Sequence, residues 1–472
     1  MSRRDVLKLA GGAIAGAGLR ESDPQPSPRR ASKRVIVAGG GIGGLCCAYE
    51  LVKRGHDVTV LEAAGRAGGH VRTIRDPLAD GLYVDGGAEH FTRPGYEIYW
   101  GYVKEFGLEA LPYPRRSNIL RLIDGQLRSE EMLADPKLLS GLGFNPREIE
   151  FLGREPWWKL PALYYAPYLD AFKDEYRPFD AGLDPLDAMT LSDLLQKDGA
   201  SPAALRFIGD PRVSALHVVW HAALLKLRGV PLFPTEVFRL KGGNQTLPDT
   251  FAKRLGERVR LGCPVTGIER GDSGVRVRYR EAGKEKTLEA DWLVSAMSLV
   301  KLREVPVTPA WPEARQFVVK SFPYYTASRP VFQSRTRFWE KDKTSVNVVI
   351  GEPALEHYWA AGDDVPTSRG LLVATAAGLT SVDASLAAFR KHYTGGSEDI
   401  EQAFVIDWAK DPWAVACEPL NYTPGQLKQF WPKVIEPEGR IHFVGAYADN
   451  LNWGMEAATR SANRVAKAID QA

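Results

Sequence analysis

Cysteine is scarce in this chain: four in 472 residues, with Cys46 and Cys47 adjacent and Cys263 and Cys417 isolated. That pattern excludes a disulfide framework and leaves free, buried thiols as the reading. An excess of one charge is missing too. Sixty-one basic residues against 58 acidic ones give a formal net charge of +3, which excludes the basic footprint of a nucleic-acid partner. No apolar run of membrane-spanning length is present; Leu9 to Leu19 is too short and too rich in Gly and Ala to cross a bilayer. The H-E-x-x-H zinc signature is absent as well. His217 and His221 stand four apart on one helix face without an acidic partner, so core packing or pocket lining is favoured and no metal site is expected. What remains is an ordinary globular composition, 44% hydrophobic and 25% charged, at a length that suits two or three domains.

What is present is organised around Lys33 to Thr73. Val35 to Ala38 is an all-apolar run, suited to a strand buried on both faces of a parallel sheet. Gly39, Gly41 and Gly44 then fit G-x-G-x-x-G around Ile42 and Gly43, and Leu45, Ala48, Leu51 and Val52 recur behind them at helical spacing. The glycines therefore sit where a strand turns into a helix, which is the context the motif requires. There Gly39 permits the tight turn, Gly41 lets backbone approach a pyrophosphate, and Gly44 lets the helix pack close to the strand, with the free N–H groups of the helix start facing the phosphates. Val58 to Leu61 makes a second strand, closed by Glu62 at the ~20-residue distance where a carboxylate accepts hydrogen bonds from a ribose diol. A merely structural glycine turn is the alternative; the order strand, helix, strand, acid disfavours it.

The remaining chain alternates between returns to this unit and excursions from it. Leu82 to His90 is a strand running into the Gly86-Gly87 turn, ahead of Ala88, Glu89 and His90, with a plain hairpin as the alternative. From about Leu111 to Phe233 the sequence is rich in aromatics, with helical stretches at Leu191 to Lys197 and Val213 to Leu227, and reads as a largely helical insertion whose aromatics are mostly core. Arg239 to Pro248 leads into a helix through Leu255. Val259 to Leu261, Val265 to Glu269, Val275 to Tyr279 and Thr287 to Ala290 read as a small β-meander, and Trp292 to Ala296 as another buried strand. Strand-like runs and a helix near Leu386 to Tyr393 then suggest a mixed sheet forming the other wall of a pocket. Arg440 to Gly445 is a final strand, and Gly454-Met455 opens the last helix.

Arg66, Gly68, Gly69, His70 and Arg72 resemble the R-x-G-G-R-x-x-T continuation of FAD proteins. Together with the 82–90 segment, the Gly242-Gly243 to Pro248 phrase and the closing Gly445 and Gly454 to Ala458 phrases, they resemble the flavin-containing amine oxidase superfamily, which includes monoamine, polyamine and L-amino acid oxidases. The resemblance implies an α/β chain: a Rossmann-type FAD-binding domain, doubly wound and discontinuous (33–110, 236–300, 437–472), with an inserted α+β substrate domain (111–235, 301–436) that carries the helical part. It implies FAD as cofactor. The first glycine cluster and Glu62, then Arg66, Gly69, His70 and Arg72, would meet its dinucleotide; Val265 would meet the adenine. Gly87, Ala88 and Glu89, with Gly445, Trp453, Gly454 and Met455, would meet the flavin, whose reduced anion the last helix start favours. His70 stands where the superfamily usually has Arg.

Further positions depart from the superfamily pattern. Counting back from Phe338-Trp339 puts Arg329 at the place of a lysine that holds a water important for reoxidation, with Lys320 a nearby substitute; an arginine keeps the charge but does not easily lose a proton. Cys417 falls where monoamine oxidases bond FAD covalently, yet the flanking Gly-Gly and Tyr are missing, so an ordinary buried Cys is favoured. Glu418 replaces one of the two aromatic walls around the substrate amine, and Trp453 is the candidate for the other. Glu418 either binds a second cationic group or is a solvated loop carboxylate. Arg329, Lys320, Glu418 and Trp453 are thus the catalytic candidates. The activity implied is hydride transfer from a primary or secondary amine, or an amino acid, to FAD, with imine hydrolysis and reoxidation by dioxygen or another acceptor. Alternatives are a desaturase, dehydrogenase or isomerase of an apolar substrate, and a non-catalytic FAD-binding assembly factor.

The N-terminus, Ser2-Arg3-Arg4-Asp5-Val6-Leu7-Lys8, resembles a twin-arginine export signal, with a Pro/Ser-rich linker from Glu21 to Arg30 closing the 1–32 leader. That route carries folded proteins, which suits loading of a dinucleotide before export. A periplasmic or secreted location is expected; a chance Arg-Arg leader on a cytoplasmic protein is the alternative.

Overall fold

The apolar run Val35 to Ala38 lacks the alternation of a half-exposed strand, and the computed structural model shows why. It describes residues 31–393, 395–415, 421–451 and 454–472, so the twin-arginine segment, Cys417, Glu418 and Trp453 lie outside the described residues. Arg34–Ala38 is the central strand of a five-stranded sheet in the order Val259–Arg260, Asp57–Leu61, Arg34–Ala38, Trp292–Ser295, Ile441–Phe443. All its pairings are parallel. Val35 and Val37 face the helices Ile42–Lys53 and Gly454–Gln471, against Leu45, Ala48, Val465 and Ile469. Ile36 and Ala38 face the other way, against Val275, Val277 and Tyr279. Both faces are therefore dry, and each Val or Ile buried contributes about 1.5–3 kcal/mol. The α/β, Rossmann-type reading holds, with helices over one face and a mainly antiparallel sheet over the other.

That covering sheet has four strands, Lys284–Ala290, Val275–Glu281, Val265–Arg270 and Val307–Thr308. One expectation is corrected here. Val259–Arg260 does not join the meander but pairs in parallel with Asp57–Leu61. The Glu62 N–H donates to the Arg260 carbonyl at 2.9 Å, and the Cys263 N–H donates to the Glu62 carbonyl at 2.7 Å, so the edge of the first sheet continues past the acid and fixes Glu62 between two backbone partners.

The remaining architecture is a mixed sheet and a set of short helices. A seven-stranded mixed sheet runs Ile400–Asp407, Ser328–Ser334, Gly370–Thr375, Leu355–Ala361, Val348–Glu352, Leu120–Ile123, Gln126–Arg128. The helix Val382–His392 packs on it through Phe389, against Phe332 and Tyr358. Residues 136–227 supply short helices, ending with Ala215–Leu227. They are pinned by Glu148, a fully buried carboxylate that accepts from the Tyr164 hydroxyl and from the Ser201 N–H and hydroxyl. His217 is core in that bundle: its ring packs on Tyr422 and its Nδ1 lies 3.2 Å from the Asn421 side-chain oxygen. Among the described residues no helix is long and apolar enough to cross a membrane, and no three His, Cys, Asp or Glu side chains converge as a metal site. Cys46, Cys47 and Cys263 are free and buried.

Candidate functional site

The turn from Arg34–Ala38 into Ile42–Lys53 opens onto a cavity of about 630 Å3. The helix can pack this close to its strand because residue 44 has no side chain; a Cβ there would lie 2.0 Å from the Gly39 carbonyl oxygen. A Cβ at Gly41, by contrast, meets no protein atom within 4 Å, so the bare backbone at that position faces the cavity. Gly41 offers the helix no capping side chain, and its first turn carries no acid. The N–H groups and the positive end of the helix dipole are thereby left for an anionic ligand.

Around this start the wall collects most of the expected cofactor residues: Gly39, Gly41, Ile42, Gly43 and Gly44, then Glu62, Arg66, Gly69, His70, Ala88 and Val265, and finally Gly445, Gly454 and Met455. Glu62 already accepts from the Gly40 N–H at 2.5 Å and the Ala64 N–H at 2.7 Å, leaving one lone pair on each oxygen for a ligand. Burial raises its carboxyl above the usual range, against those two N–H donors and the nearby Arg66. The Arg66 guanidinium donates to the Gly69 carbonyl at 2.8 Å. Asp411 stands 3.9 Å from Arg66 and 3.8 Å from Arg72; it also accepts the N–H groups of Trp413 and Ala414. The Ser461 hydroxyl clamps the Gly445 turn through both its N–H and its carbonyl.

Other expected residues stand behind the wall. Arg72, Gly87 and Glu89 are not among the lining residues. Gly87 is needed for close passage of the chain, since a Cβ there would lie 1.8 Å from the His70 carbonyl oxygen. Glu89 accepts from Arg115 Nε at 2.9 Å and from Arg329 Nη1 at 3.0 Å, with His90 Nδ1 at 3.2 Å. Burial by itself would raise the Glu89 carboxyl, but the two guanidiniums hold it well below the usual carboxylate range. Arg115 in turn lies 3.5 Å over the Trp359 ring. Arg329, expected at the place of the lysine that holds a water for reoxidation, does not line the cavity; its guanidinium is tied to Glu89. Lys320 is corrected more simply. It sits exposed on the last turn of Glu313–Ser321, whose inner face is Val318 and Val319, and it does not line the cavity. Arg115 and Asp411 belong to no motif; the tertiary fold alone brings Arg115 to Glu89 and Asp411 to the cavity wall.

The family described as flavin containing amine oxidoreductase matches residues 42–470. The chain belongs to that family. The L-amino-acid oxidase of Vipera ammodytes ammodytes is 25% identical over 473 residues, covering 93% of either chain. That of Pseudechis australis is 25% identical over 469 residues, covering 93% of this chain and 87% of the other. Among solved structures, cyclohexylamine oxidase from Brevibacterium oxydans IH-35A superposes with a TM-score of 0.76 at 22% identity, covering 93% of this chain and 99% of that one. Wild-type putrescine oxidase bound to putrescine gives 0.70 at 18% identity, covering 94% and 100%; these two establish the shared fold. The protein is an FAD-dependent oxidoreductase of the amine oxidase kind.

The residues present fit that cofactor. The uncapped helix start and the open Gly41 backbone suit a pyrophosphate, and Glu62 suits a ribose diol. His70 Nε2, Thr266 Oγ1 and Tyr447 Oη are buried without hydrogen-bond partners among the described residues, and all three side chains belong to the wall. A ligand rich in hydroxyl, carbonyl and ring-nitrogen groups supplies what they lack.

Proposed function

We propose that this chain oxidises a small primary or secondary amine or an amino acid and that dioxygen takes the electrons. FAD, when bound, supplies a two-electron acceptor for the hydride on the amine-bearing carbon, and the resulting imine hydrolyses in water. The reading is supported above all by the continuous wall that joins the dinucleotide cradle to Tyr324, Tyr447 and the start of the last helix, in a chain aligned nearly end to end with L-amino-acid oxidases. The aromatic side chains exclude water from the reacting carbon. Arg329 and Glu89 hold each other, so neither is available to take the substrate's proton, and the amine enters uncharged. The test is a panel of L-amino acids, cyclic amines and diamines, scored for hydrogen peroxide and ammonia. A substrate should appear whose kcat/KM rises with pH up to the amine's own pKa. Absence of peroxide and of flavin reduction across the panel would sink the proposal.

Two organisational proposals accompany it. Residues 33–110, 236–300 and 437–472 act as the FAD-binding part, supported by the origin of the five parallel strands, and 111–235 with 301–436 form the substrate part. Export by the twin-arginine route rests on Arg3-Arg4 and the Gly/Ala run. Fractionating cells that express Arg3→Lys, Arg4→Lys beside wild type should leave the variant in the cytoplasm; equal distribution removes the idea.

A further inference from the structure

The chain between the strand Ile441–Phe443 and the last helix, Gly454–Gln471, carries Gly445, Ala446 and Tyr447 on the cavity wall. The Ser461 hydroxyl clamps this loop at Gly445, and Arg460, one residue earlier on the helix, holds its far side. Arg460 Nε donates to Asp449 Oδ1 at 2.9 Å and Nη2 to Asn450 Oδ1 at 3.1 Å. Asp449 Oδ1 also accepts the Leu451 N–H at 3.1 Å, so guanidinium and loop backbone share one acceptor. One helical turn on, on the same face, Arg464 donates to the Ala448 carbonyl. The Asp449 side chain is fully buried and that of Arg460 is 11% exposed, where charge-assisted hydrogen bonds are strong.

The same guanidinium reaches the helical stretch 136–227. Its Nη2 donates to Glu175 Oε2 at 3.3 Å and to the Tyr176 hydroxyl at 3.2 Å, and Asn450 Nδ2 donates to the Glu175 carbonyl at 2.9 Å. Neither Glu175 nor Tyr176 lines the cavity. Both are fixed from behind: Trp220 Nε1 donates to the Glu175 carbonyl and Trp431 Nε1 to the Tyr176 carbonyl, each at 3.0 Å, and the Tyr176 ring stacks on that of Trp431. One arginine therefore joins a loop that walls the cavity to a segment that does not touch it. We propose that Arg460 is a positioning residue for FAD. Through Asp449 and Asn450 it sets the loop that carries Ala446 and Tyr447, and through Glu175 and Tyr176 it makes that setting depend on the helical segment. A loop ordered in advance spares the ligand the free energy of ordering it, so a looser hold reads as weaker FAD binding.

The test is equilibrium FAD binding to the full chain freed of flavin, with thermal unfolding of the flavin-free proteins measured alongside. The proteins are wild type, Arg460→Met, the paired variant Glu175→Ala with Tyr176→Phe, and all three changes together. Arg460→Met is expected to weaken FAD about tenfold, the scale of a lost buried hydrogen bond to a charged group. The paired variant should weaken FAD about threefold although neither residue touches the cavity, and should add almost nothing on the Arg460→Met background, because both act through one guanidinium. Lys226→Ala, which removes an exposed ion pair with Asp170 in the same helical stretch, should stay within about twofold of wild type. Arg460→Met leaves a buried carboxylate unpaired; if it does not fold, Arg460→Met with Asp449→Asn, which leaves no lone charge, takes its place in the cycle. Unchanged FAD affinity in the arginine variant beside a lowered unfolding temperature overturns the proposal in favour of a purely structural bridge. Unchanged affinity in the paired variant, or a full further loss when it is added to the arginine variant, overturns the dependence on the helical segment.

Discussion

Replacing Glu89 by Gln removes the carboxylate that Arg115 and Arg329 share, at 2.9 and 3.0 Å, while keeping its shape. The carboxylate side chain is 8% exposed and the arginines 11% and 15%, so water does not replace the lost charge. Two guanidiniums then sit side by side without a counterion. Breaking a buried pair by removing one partner costs about 3–5 kcal/mol. With an unfolding entropy near 2.1 cal/mol/K per residue, a chain of this length loses about 3–5 °C in Tm for that change. The assay is thermal or urea unfolding of the flavin-loaded protein at pH 7 and 9; Glu89 is held ionised well below both, so the loss should be the same at each. A second variant checks the cause. Glu89→Gln with Arg329→Met removes one of the two like charges, returning the trio to its original net charge, and should recover about half or more of the loss, as coupled neighbours do. A single variant within about 0.5 kcal/mol of wild type, or a double variant that is worse than either single by their sum, refutes the view that the cluster is an energetically coupled unit.

Gly44→Ala should abolish flavin retention and cost about 3 kcal/mol or more, because its Cβ would lie 2.0 Å from the Gly39 carbonyl oxygen; flavin content of the purified variant checks it. Asp85 is buried, and burial raises its carboxyl to about 7 from 3.8, against donors from Thr73 and Asn244. A raised carboxyl contributes stability that is fully present below its unfolded pKa and lost as pH rises through its folded one. Wild type should therefore lose stability relative to Asp85→Asn between pH 5 and 8, read as Tm of both proteins across that range; a constant difference excludes the buried charge. Lys320→Met should leave kcat/KM within about twofold, since the side chain is exposed and away from the cavity; a loss of tenfold or more in steady-state assays would restore Lys320 to the chemistry.

The parallel sheet was legible because burial on both faces removes polar alternation from Val35 to Ala38, and the glycine spacing carries its own steric reason at Gly44. Val259–Arg260 was misplaced because two residues have no periodicity; its parallel partner is set by backbone bonds on either side of Glu62. The Glu89 cluster was hidden for a different cause. Its arginines arrive from 26 and 240 residues away, and nothing local in Arg115 or Arg329 indicates that both turn toward one carboxylate. Likewise, counting from Phe338-Trp339 located Arg329 but not the direction of its side chain. His70 was visible as a departure from a phrase, whereas the burial that keeps its ring neutral comes partly from Trp408, brought in by a distant segment.

The most direct measurement is an anaerobic titration of the purified protein with an amine or L-amino acid, following the flavin's visible absorbance. One FAD per chain, bleached by substrate and recoloured on admitting air, is expected if the cavity joins a dinucleotide cradle to an amine site. A colourless protein that takes up no flavin on reconstitution, or bound flavin that no amine bleaches, contradicts it.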